Sequence, residues 1–278
     1  MISIVICSRR PDLLAGLRQN IAETVGCDHE LVVIENSHNR YNIFQAYNEG
    51  VDRAKGDILC FMHDDVMMRT KGWGNKVAEV FEDESIGMIG VAGSHFMPQA
   101  PMYWCTSPYI AQYNLQTDNG MTIVNDTPDS FVNGLADVVA VDGLFFCIPR
   151  RLFDTLRFDD VRYQGFHAYD MDMSMQVQAL GKRVCVTRGF LVEHFWSERQ
   201  FQNKKTMAQL DEGMEAFLNK WKDVLPMVKG INEPEMVINR LNNLCVDAYD
   251  AKKARRSKAY RLGRTLLTPF RWFKGLKK

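Results

Sequence analysis

Two adjacent carboxylates and an imidazole follow one apolar run of the chain. The run covers residues 58–62 and ends at His63-Asp64-Asp65. Neighbouring carboxylates repel each other, and keeping both ionised beside a buried strand is costly unless a cation or strong hydrogen-bond donors compensate. A hard divalent cation that also binds phosphate oxygens is one such partner. A solvated acidic turn or a helix N-cap explains an Asp-Asp pair equally well, so the pair alone leaves these interpretations open.

A second acidic cluster, Asp170 and Asp172, lies at the start of a helix predicted for residues 169–180. Carboxylates at a helix N-terminus are stabilised by the dipole and by free N–H groups, so ordinary capping explains either one alone. Both cannot cap the helix in the same way. His194 follows a predicted strand, 190–193, and is a candidate ligand for a metal or a phosphate. A lone histidine beside aromatic residues is also typical of a packed position.

Strands and helices must alternate to position these residues. Apolar runs predict strands and helical spacing predicts helices in the first part of the chain: strands 2–7, 30–34, 57–62 and 86–92, and helices 11–26, 42–55 and 73–81. Such alternation is typical of right-handed crossover units and predicts an α/β fold with a mostly parallel sheet. Ligands bind these sheets at the carboxyl ends of the strands, which places residues 8–10, 35–37 and 63–65 together.

The rest of the chain is less regular at first. Residues 93–137 contain four prolines and many polar residues, which predicts irregular structure with a hairpin where acceptor specificity would lie. Residues 138–148 are predicted as a strand, followed by a helix that starts at Pro149 and by strands 183–187 and 190–193. Beyond residue 198 the pattern is helical, with two apolar stripes: Met207, Leu210, Met214, Phe217 and Trp221, then Val237, Leu241, Leu244 and Ala248.

Taken in order, these motifs resemble the family-2-like GT-A glycosyltransferases over residues 2–196. The segments that carry the resemblance are VVIENS (32–37), AYNEG (46–50), AKGD (54–57), FMHDDV (61–66), VDG (141–143), Phe153, FD (158–159), GFH (165–167), YDMDM (169–173) and ALGKRV (179–184). The resemblance implies a GT-A, Rossmann-like fold, with a mostly parallel central sheet flanked by helices and a C-terminal helical extension.

The same resemblance implies a nucleotide-sugar donor, with a UDP- or GDP-sugar expected. Its predicted contacts are Ser8, Arg9, Glu35, Asn48 and Asp64. Glu35 stands where the family usually has an aspartate and would meet the base or ribose. Asp64 would meet the ribose or the diphosphate.

A divalent cation, Mn or Mg, and a catalytic base are implied as well. Asp65 is the predicted direct metal ligand, with His63 beside it and His194 completing the shell, and Asp170 is the predicted base. Asp172 is expected to support the helix or the acceptor. The chain departs from the family pattern at His63, where the usual Asp-x-Asp begins with aspartate, and at Tyr169, where the family has glutamate.

These residue types suit a single displacement. A cation neutralises the charge that develops on the leaving diphosphate, and one carboxylate near the acceptor hydroxyl suffices for inversion because no covalent intermediate is needed. The predicted activity is therefore inverting sugar transfer to a glycan or lipid-linked acceptor, as in polysaccharide biosynthesis. Two alternatives remain open: an inactive scaffold that binds a nucleotide-sugar or glycan, and a sugar nucleotidyltransferase. The second would want a glycine-rich basic loop after the first strand, where the chain has CSRRP at residues 7–11.

Charge divides the chain near residue 250. Residues 251–278 carry eleven Lys or Arg and no acidic residue, which leaves residues 1–250 at a net charge of −11. The predicted organisation is a catalytic domain at 1–197 with donor and acceptor halves at 1–92 and 93–197, a helical extension at 198–250 and a basic tail at 251–278. Apolar and aromatic residues among the cations favour an anionic membrane surface over nucleic acid, with a solvated terminus as the other interpretation.

Seven widely spaced cysteines predict free thiols and a reducing compartment. The sequence contains neither a secretory signal at its start nor an apolar run long enough for a membrane span. The expected location is the cytoplasm, with peripheral attachment to the inner face of the cytoplasmic membrane through the tail.

Overall fold

The computed structural model describes residues 1–195 and 204–256. The strands are β1 (Ile2–Ser8), β2 (His29–Glu35), β3 (Ile58–Met62), β4 (Val66–Met68), β5 (Ile86–Gly90), β6 (Ala92–Ser94), β7 (Phe96–Met97), β8 (Ile110–Asp118), β9 (Met121–Asp126), β10 (Leu135–Asp137), β11 (Ala140–Val141), β12 (Phe145–Pro149), β13 (Arg183–Thr187), β14 (Val192–Phe195) and β15 (Met227–Val228). The helices are α1 (Pro11–Thr24), α2 (Ile43–Arg53), α3 (Trp73–Val80), α4 (Tyr169–Ala179), α5 (Lys204–Trp221) and α6 (Glu235–Arg256).

The main sheet has seven strands in the order β10-β13-β5-β12-β3-β1-β2. β1 is parallel to both β2 and β3, and β13 is parallel to β5, whereas β12 lies antiparallel between β3 and β5. β10 pairs antiparallel with β13 at one edge. Five of the seven strands therefore run in one direction. The prediction of a mostly parallel sheet is confirmed.

Both faces of the main sheet are buried. Val5 belongs to a core shared with α2, α4 and α5, whereas its neighbours Ile4 and Ile6 belong to a core shared with α1 and α3. This alternation follows from the pleat of the strand, in which successive side chains point to opposite faces. Burial on both faces is the reason that β1 is apolar at four consecutive positions, from Ile4 to Cys7, instead of alternating apolar and polar residues.

A second sheet, in the order β11-β6-β8-β14-β4 with β9 paired to β8, covers the carboxyl ends of the main strands. The β8–β9 pair is the hairpin predicted within 93–137, and its turn uses Asn119 and Gly120, both at positive φ. The single strand predicted for 138–148 is instead divided between the two sheets. β11 joins the second sheet and β12 the main one, so residues 142–144 cross from one sheet to the other.

Two further predictions need correction. The helix expected from Pro149 is only a 3₁₀ turn, Arg150–Asp154. The face of α6 that packs is formed by Ile238, Leu241 and Cys245. Leu241 belongs to the predicted stripe, but Val237 and Leu244 are 37% and 58% exposed. Asn242 and Cys245 take buried positions on this face, so a count of strongly apolar residues alone selects the wrong side of the helix.

The C-terminal helices are joined to the rest of the molecule by apolar packing. On α5, Met214 and Phe217 are 3% and 2% exposed and belong to the core shared with α2 and α4. α6 packs against Phe96 and Ala100 in a smaller cluster. Within the described residues, no helix combines the length and the hydropathy that crossing a bilayer requires. Residues 257–278, most of the predicted basic tail, lie outside the described residues.

Candidate functional site

Asp64 closes the turn between β1 and α1. Because β1 and β3 are parallel neighbours, Ser8 at the end of β1 and Asp64 just past β3 reach the same edge of the sheet. Asp64 Oδ2 accepts hydrogen bonds from Ser8 Oγ at 3.1 Å and from the backbone N–H groups of Arg9 at 3.0 Å and Arg10 at 3.2 Å. Its Oδ1 lies 3.8 Å from Arg10 Nη2. Donors of this turn therefore compensate part of the acidic pair.

Asp65 faces two imidazoles. Its Oδ1 lies 3.8 Å from His63 Nδ1 and 3.4 Å from His194 Nε2, while Oδ2 is 3.1 Å from Arg10 Nη2. Burial acts to raise the pKa of Asp65, but the nearby His194, His63 and Arg10 outweigh burial and hold that pKa below its ordinary value. Burial lowers the pKa of His63. Both shifts favour an ionised carboxylate next to a neutral imidazole.

The position of His194 follows from the pairing of β14. β14 lies antiparallel to β4, with His194 opposite Val66, and the N–H of Phe195 donates to the carbonyl of Asp65 at 2.9 Å. Glu193, 5% exposed, accepts hydrogen bonds from Arg69 and from Thr117 on the neighbouring strand β8. These contacts fix the end of β14 against the acidic loop, although the two segments are far apart in sequence.

The donor set of His63, Asp65 and His194 fits a divalent cation. One ligand atom from each residue lies within 4.8 Å of the other two. Asp65 Oδ1 is buried, and its polar neighbours among the described residues are the two imidazole nitrogens at 3.4 and 3.8 Å, both farther than an ordinary hydrogen bond. A buried carboxylate oxygen with such weak partners is costly. Two imidazole nitrogens and one carboxylate oxygen are common ligands of transition-metal ions.

Asp170, the predicted base, lies at the start of α4 and is 1% exposed. Ala168, the residue before the helix, has a φ of 73°, which turns the chain sharply into α4. Asp170 Oδ2 accepts a hydrogen bond from the N–H of Gly143 at 2.8 Å, and Oδ1 accepts one from the N–H of Met171 at 2.9 Å. Burial, followed by the charge of Asp142, raises the pKa of Asp170 to about 7. A carboxyl with this pKa is matched to proton transfer near neutral pH.

The sequence interpretation gave Asp142 no role, and the structure places it between the two clusters. It lies where the chain crosses from β11 to β12, and its Oδ1 accepts a hydrogen bond from the N–H of Leu144 at 3.0 Å. Burial raises the pKa of Asp142, against the opposite effect of His194 and His63. The signal in the sequence was an aspartate and a glycine that interrupt an otherwise apolar run, because such an interruption is expensive in a buried strand.

Glu35 and Arg9 lie at the open rim of this edge. Glu35, at the end of β2, pairs in register with Ser8, is exposed, and accepts a hydrogen bond from the N–H of Ser37 at 2.8 Å. The guanidinium of Arg9 lies 5.7 Å from the centre of the Phe166 ring, and that ring is 5.7 Å from the imidazole of His63. Phe166 therefore links the rim to the histidine cluster, a contact that the sequence did not indicate.

Asn48 is not brought to this edge. It is 4% exposed on α2, its Nδ2 donates to the carbonyl of Phe158 at 2.9 Å and its Oδ1 accepts from the N–H of Phe158 at 3.1 Å. Both amide atoms thus hold the segment that follows the 3₁₀ turn Arg150–Asp154 against α2. These contacts give Asn48 a structural role, and its predicted contact with the donor stays a prediction.

Asp172 faces away from Asp170, toward α5. Its two oxygens accept hydrogen bonds from Tyr163 Oη at 3.0 Å, Gln176 Nε2 at 2.8 Å, Lys220 Nζ at 2.9 Å and Trp221 Nε1 at 2.8 Å. Asp172 is 1% exposed. Of the two roles predicted for it, support of the helix agrees with these contacts.

Comparison with known proteins shows which family the chain matches. Residues 3–221 match the family described as "Glycosyltransferase like family". The streptomycin biosynthesis protein StrF of Streptomyces griseus is 30% identical over 230 residues, which cover 81% of this chain and 74% of StrF.

The fold has a counterpart among solved structures. A crystal structure of GalNAc-T7 with UDP, GalNAc and Mn²⁺ superposes with a TM-score of 0.50 and 13% identity, over 70% of this chain. The chain spans 44% of the length of GalNAc-T7, and at this identity the likeness is one of fold. The strand order, the acidic loop past β3 and the extent of the family match agree: the chain has the GT-A fold and belongs to the glycosyltransferase-like family.

Proposed function

We propose that this protein transfers a sugar from a nucleotide-sugar donor to an acceptor hydroxyl in one metal-assisted, inverting displacement. One observation carries the proposal: a three-residue donor set and a buried carboxylate with a pKa of about 7 lie at the same end of the sheet, with Asp142 near enough to influence both electrostatically. The first is suited to a leaving diphosphate and the second to an attacking hydroxyl.

Asp65 Oδ1, His63 Nδ1 and His194 Nε2 are the atoms that would hold the cation. When bound, the cation acts as a Lewis acid that neutralises the charge developing on the diphosphate. Magnesium prefers oxygen ligands, whereas imidazole favours transition metals, so two histidines in the set favour Mn²⁺ over Mg²⁺. His63, in place of the family's first aspartate, is thus the residue that we expect to set the metal preference.

The donor would lie along the rim formed by the ends of β1 and β2. Glu35 and Ser8 are register partners there, and the Glu35 carboxylate is exposed and suited to ribose hydroxyls. Arg9 and Arg10 present guanidinium groups beside the acidic loop, which suits them to diphosphate oxygens. Asp64 Oδ2 is engaged by the β1–α1 turn, so Oδ1 is the atom left for a direct donor contact.

Asp170 would act from the other side of the anomeric carbon. The acceptor O–H proton moves to the Asp170 carboxylate, the acceptor oxygen bonds to the anomeric carbon, and the bond from that carbon to the diphosphate breaks with its electron pair on the leaving oxygen. A pKa of about 7 allows Asp170 to be ionised before the reaction and basic enough to take the proton. The acceptor is a glycan or lipid-linked hydroxyl compound in this proposal.

The proposal is tested first on donor binding. UDP-, GDP-, CMP- and dTDP-sugars are screened by thermal shift with Mn²⁺, with Mg²⁺ and without metal, because selective binding stabilises the folded protein. UDP-sugars with Mn²⁺ come first, since GalNAc-T7 was crystallised with UDP, GalNAc and Mn²⁺. Asp65→Ala should lose the metal-dependent shift and remain folded. Equal shifts in Asp65→Ala and wild type would refute the metal assignment.

Slow hydrolysis of the donor identified in this way separates the enzyme from an inactive scaffold. An active transferase should release the sugar to water slowly in the presence of metal, whereas a scaffold binds the donor and leaves it intact. A sugar nucleotidyltransferase would instead release pyrophosphate from a nucleoside triphosphate and a sugar phosphate. The assay uses the full chain, so that the C-terminal residues are present.

We also propose peripheral binding to an anionic membrane, on the charge of residues 251–278 alone. Each cation near such a surface contributes about 1 kcal/mol, so half of the eleven would hold the protein reversibly at low salt. The test is flotation with vesicles that contain anionic lipid, comparing the full chain with a chain that ends at Tyr249. Equal binding of the two proteins would exclude the tail as the anchor.

A further inference from the structure

Two of the positions at which the chain departs from the family pattern contact each other. His63 and Tyr169 are 106 residues apart in sequence, and His63 Nε2 lies 2.7 Å from Tyr169 Oη. One residue stands in the acidic loop past β3 and the other is the first residue of α4, directly before Asp170. A hydrogen bond between the two substituted side chains suggests that they work as a pair.

The Tyr169 hydroxyl is held firmly in place. Tyr169 is 3% exposed, and its ring packs against those of Phe44, Tyr47 and Phe166, with centroid distances of 6.2, 5.5 and 5.9 Å. On the remaining side lies Gly143, where an added Cβ would overlap the Tyr169 hydroxyl. Only glycine leaves room for this hydroxyl, and the N–H of the same glycine donates to Asp170.

The contact determines which nitrogen of His63 is free. With Nε2 on the Tyr169 hydroxyl, Nδ1 faces Asp65 Oδ1 at 3.8 Å and thus the site shared with His194. A neutral imidazole has one N–H and one lone pair, and the partner of one nitrogen fixes the role of the other. A hydroxyl can accept the Nε2–H bond, which leaves the Nδ1 lone pair for a cation. Such partners of ligating histidines are worth 10- to 100-fold in metal affinity.

We infer that Tyr169 is a positioning residue that orients the His63 ring and holds its Nδ1 toward the cation site. The inference rests on the proposed function, because it assigns a role toward the same cation. It also links the two departures from the family pattern. His63 replaces a carboxylate ligand, and Tyr169 supplies the hydrogen-bond partner that the imidazole ring requires. Tyr169 therefore acts on the metal site, whereas the next residue, Asp170, acts on the acceptor.

Mn²⁺ affinity, measured by electron paramagnetic resonance without any donor sugar, is the principal test. Tyr169→Phe keeps the ring and removes only the hydroxyl, and we expect it to weaken Mn²⁺ binding by about 10- to 100-fold. Tyr163→Phe is the matched control, because it removes a buried hydroxyl that donates to Asp172 on the opposite side of α4. That variant should bind Mn²⁺ as wild type does.

A double-mutant cycle separates positioning from general damage. In a His63→Asp background there is no ring to orient, so adding Tyr169→Phe should change Mn²⁺ affinity little. If the loss caused by Tyr169→Phe is the same in both backgrounds, the effect is structural and the inference fails. If wild type binds Mn²⁺ and Tyr169→Phe binds it equally well, the inference fails while the proposed function stands. If wild type binds no Mn²⁺, both fail.

The ligating nitrogen can also be identified in the unmodified protein. Zn²⁺ is a diamagnetic probe, and ¹⁵N chemical shifts of the Zn²⁺-loaded protein distinguish a metal-bound from a protonated ring nitrogen. We expect Nδ1 of His63 to be bound and Nε2 to be protonated. Coordination through Nε2 would overturn the inference, even if Tyr169→Phe fails to fold.

Discussion

Asp170 and Asp172 lie two positions apart on α4, and both are 1% exposed. Their surroundings differ. Asp172 accepts hydrogen bonds from four side chains, one of which is the ammonium group of Lys220. Asp170 accepts hydrogen bonds from two backbone N–H groups, and among the described residues its strongest charged influence is another carboxylate, Asp142. One helix therefore carries a carboxylate with four side-chain donors, one of them a cation, and a carboxylate with two backbone donors.

The difference shows that a buried carboxylate can either stabilise the fold or be suited to proton transfer. A buried carboxylate with a cation and full hydrogen bonding is stabilised in its ionised form and holds structure together. A buried carboxylate beside a like charge and without a cation has a raised pKa, which is useful for proton transfer and destabilises the fold once the group is ionised. Asp170 and Asp172 are equally buried and lie on the same helix, so their hydrogen-bond partners and charged neighbours decide which role each takes.

The largest effect expected from this comparison is on turnover. Asp170→Asn keeps the size of the side chain but cannot accept the acceptor proton, so kcat should fall by about 100-fold or more while donor affinity stays close to wild type. Steady-state kinetics with the identified donor measure both quantities, and the anomeric configuration of the product is determined by NMR. A near-normal rate, or retention of the donor's configuration, would contradict the assignment of Asp170 and of the inverting mechanism.

The free energy of unfolding should change most when Asp172 is replaced. Asp172→Ala removes the acceptor of four donors and leaves Lys220, whose side chain is 19% exposed, with Asp159 as its remaining partner. We expect the free energy of unfolding to fall by about 3 kcal/mol, measured by urea denaturation. Asp223→Ala, at an exposed position after α5, is the control and should stay within about 0.5 kcal/mol. A comparable loss in Asp170→Asn would remove the contrast between the two residues.

The pH dependence should sharpen the contrast further. Asp170 must be ionised to accept a proton, so log kcat should rise with a slope near one up to the pKa of about 7 and then level off. The raised pKa of Asp170 contributes stability that is complete below its ordinary pKa of 3.8 and is lost as pH rises through about 7. The stability of Asp170→Asn relative to wild type should therefore increase between pH 5 and pH 8. A constant difference over this range would show that Asp170 titrates normally.

The smallest effect concerns the backbone that presents both carboxylates. Ala168 has a φ of 73°, a left-handed conformation that strains a residue with a Cβ. Ala168→Gly should relieve this strain and raise the free energy of unfolding by about 0.5 kcal/mol, after the greater chain entropy of glycine is taken into account. Asn119→Gly in the β8–β9 turn, where φ is 49°, is the comparison. A loss of stability in Ala168→Gly would show that the Ala168 methyl group contributes packing that outweighs the strain.

Local sequence patterns predicted the elements that bring the site together. β1 and β2 are each followed by a helix with a clear beginning, at Pro11 for α1 and at the Asn42 cap for α2. The edge that gathers Ser8, Glu35 and Asp65 could therefore be inferred. These features depend on neighbours within a few residues, which is what a pattern in a single sequence records.

The failures concern contacts between distant segments. The crossing at residues 142–144 is set by pairing β11 with β6 and β12 with β3, and no local pattern distinguishes it from a kinked strand. The hydrogen bonds of Asn48 to Phe158, 110 residues away, are likewise invisible to a local pattern. The contact between His63 and Tyr169 is equally non-local. A residue's availability depends on its partners, and these are fixed only by the tertiary structure.

The hydrogen bonds from Lys220 and Trp221 to Asp172 couple the local unfolding of α5 to that of α4. Phe217 and Met214 of α5 share a core with α2 and α4, and Asp172 ties the end of α5 to the helix that carries the proposed base. Regions joined by buried contacts open together as one cooperative unit, and their amide protons exchange at a common rate. The amides of α5 should therefore exchange with those of α4, and a protease that cleaves between them should not release a stable fragment. We therefore expect the cooperative unit to include α5, which the sequence prediction assigned to a separate helical extension from residue 198.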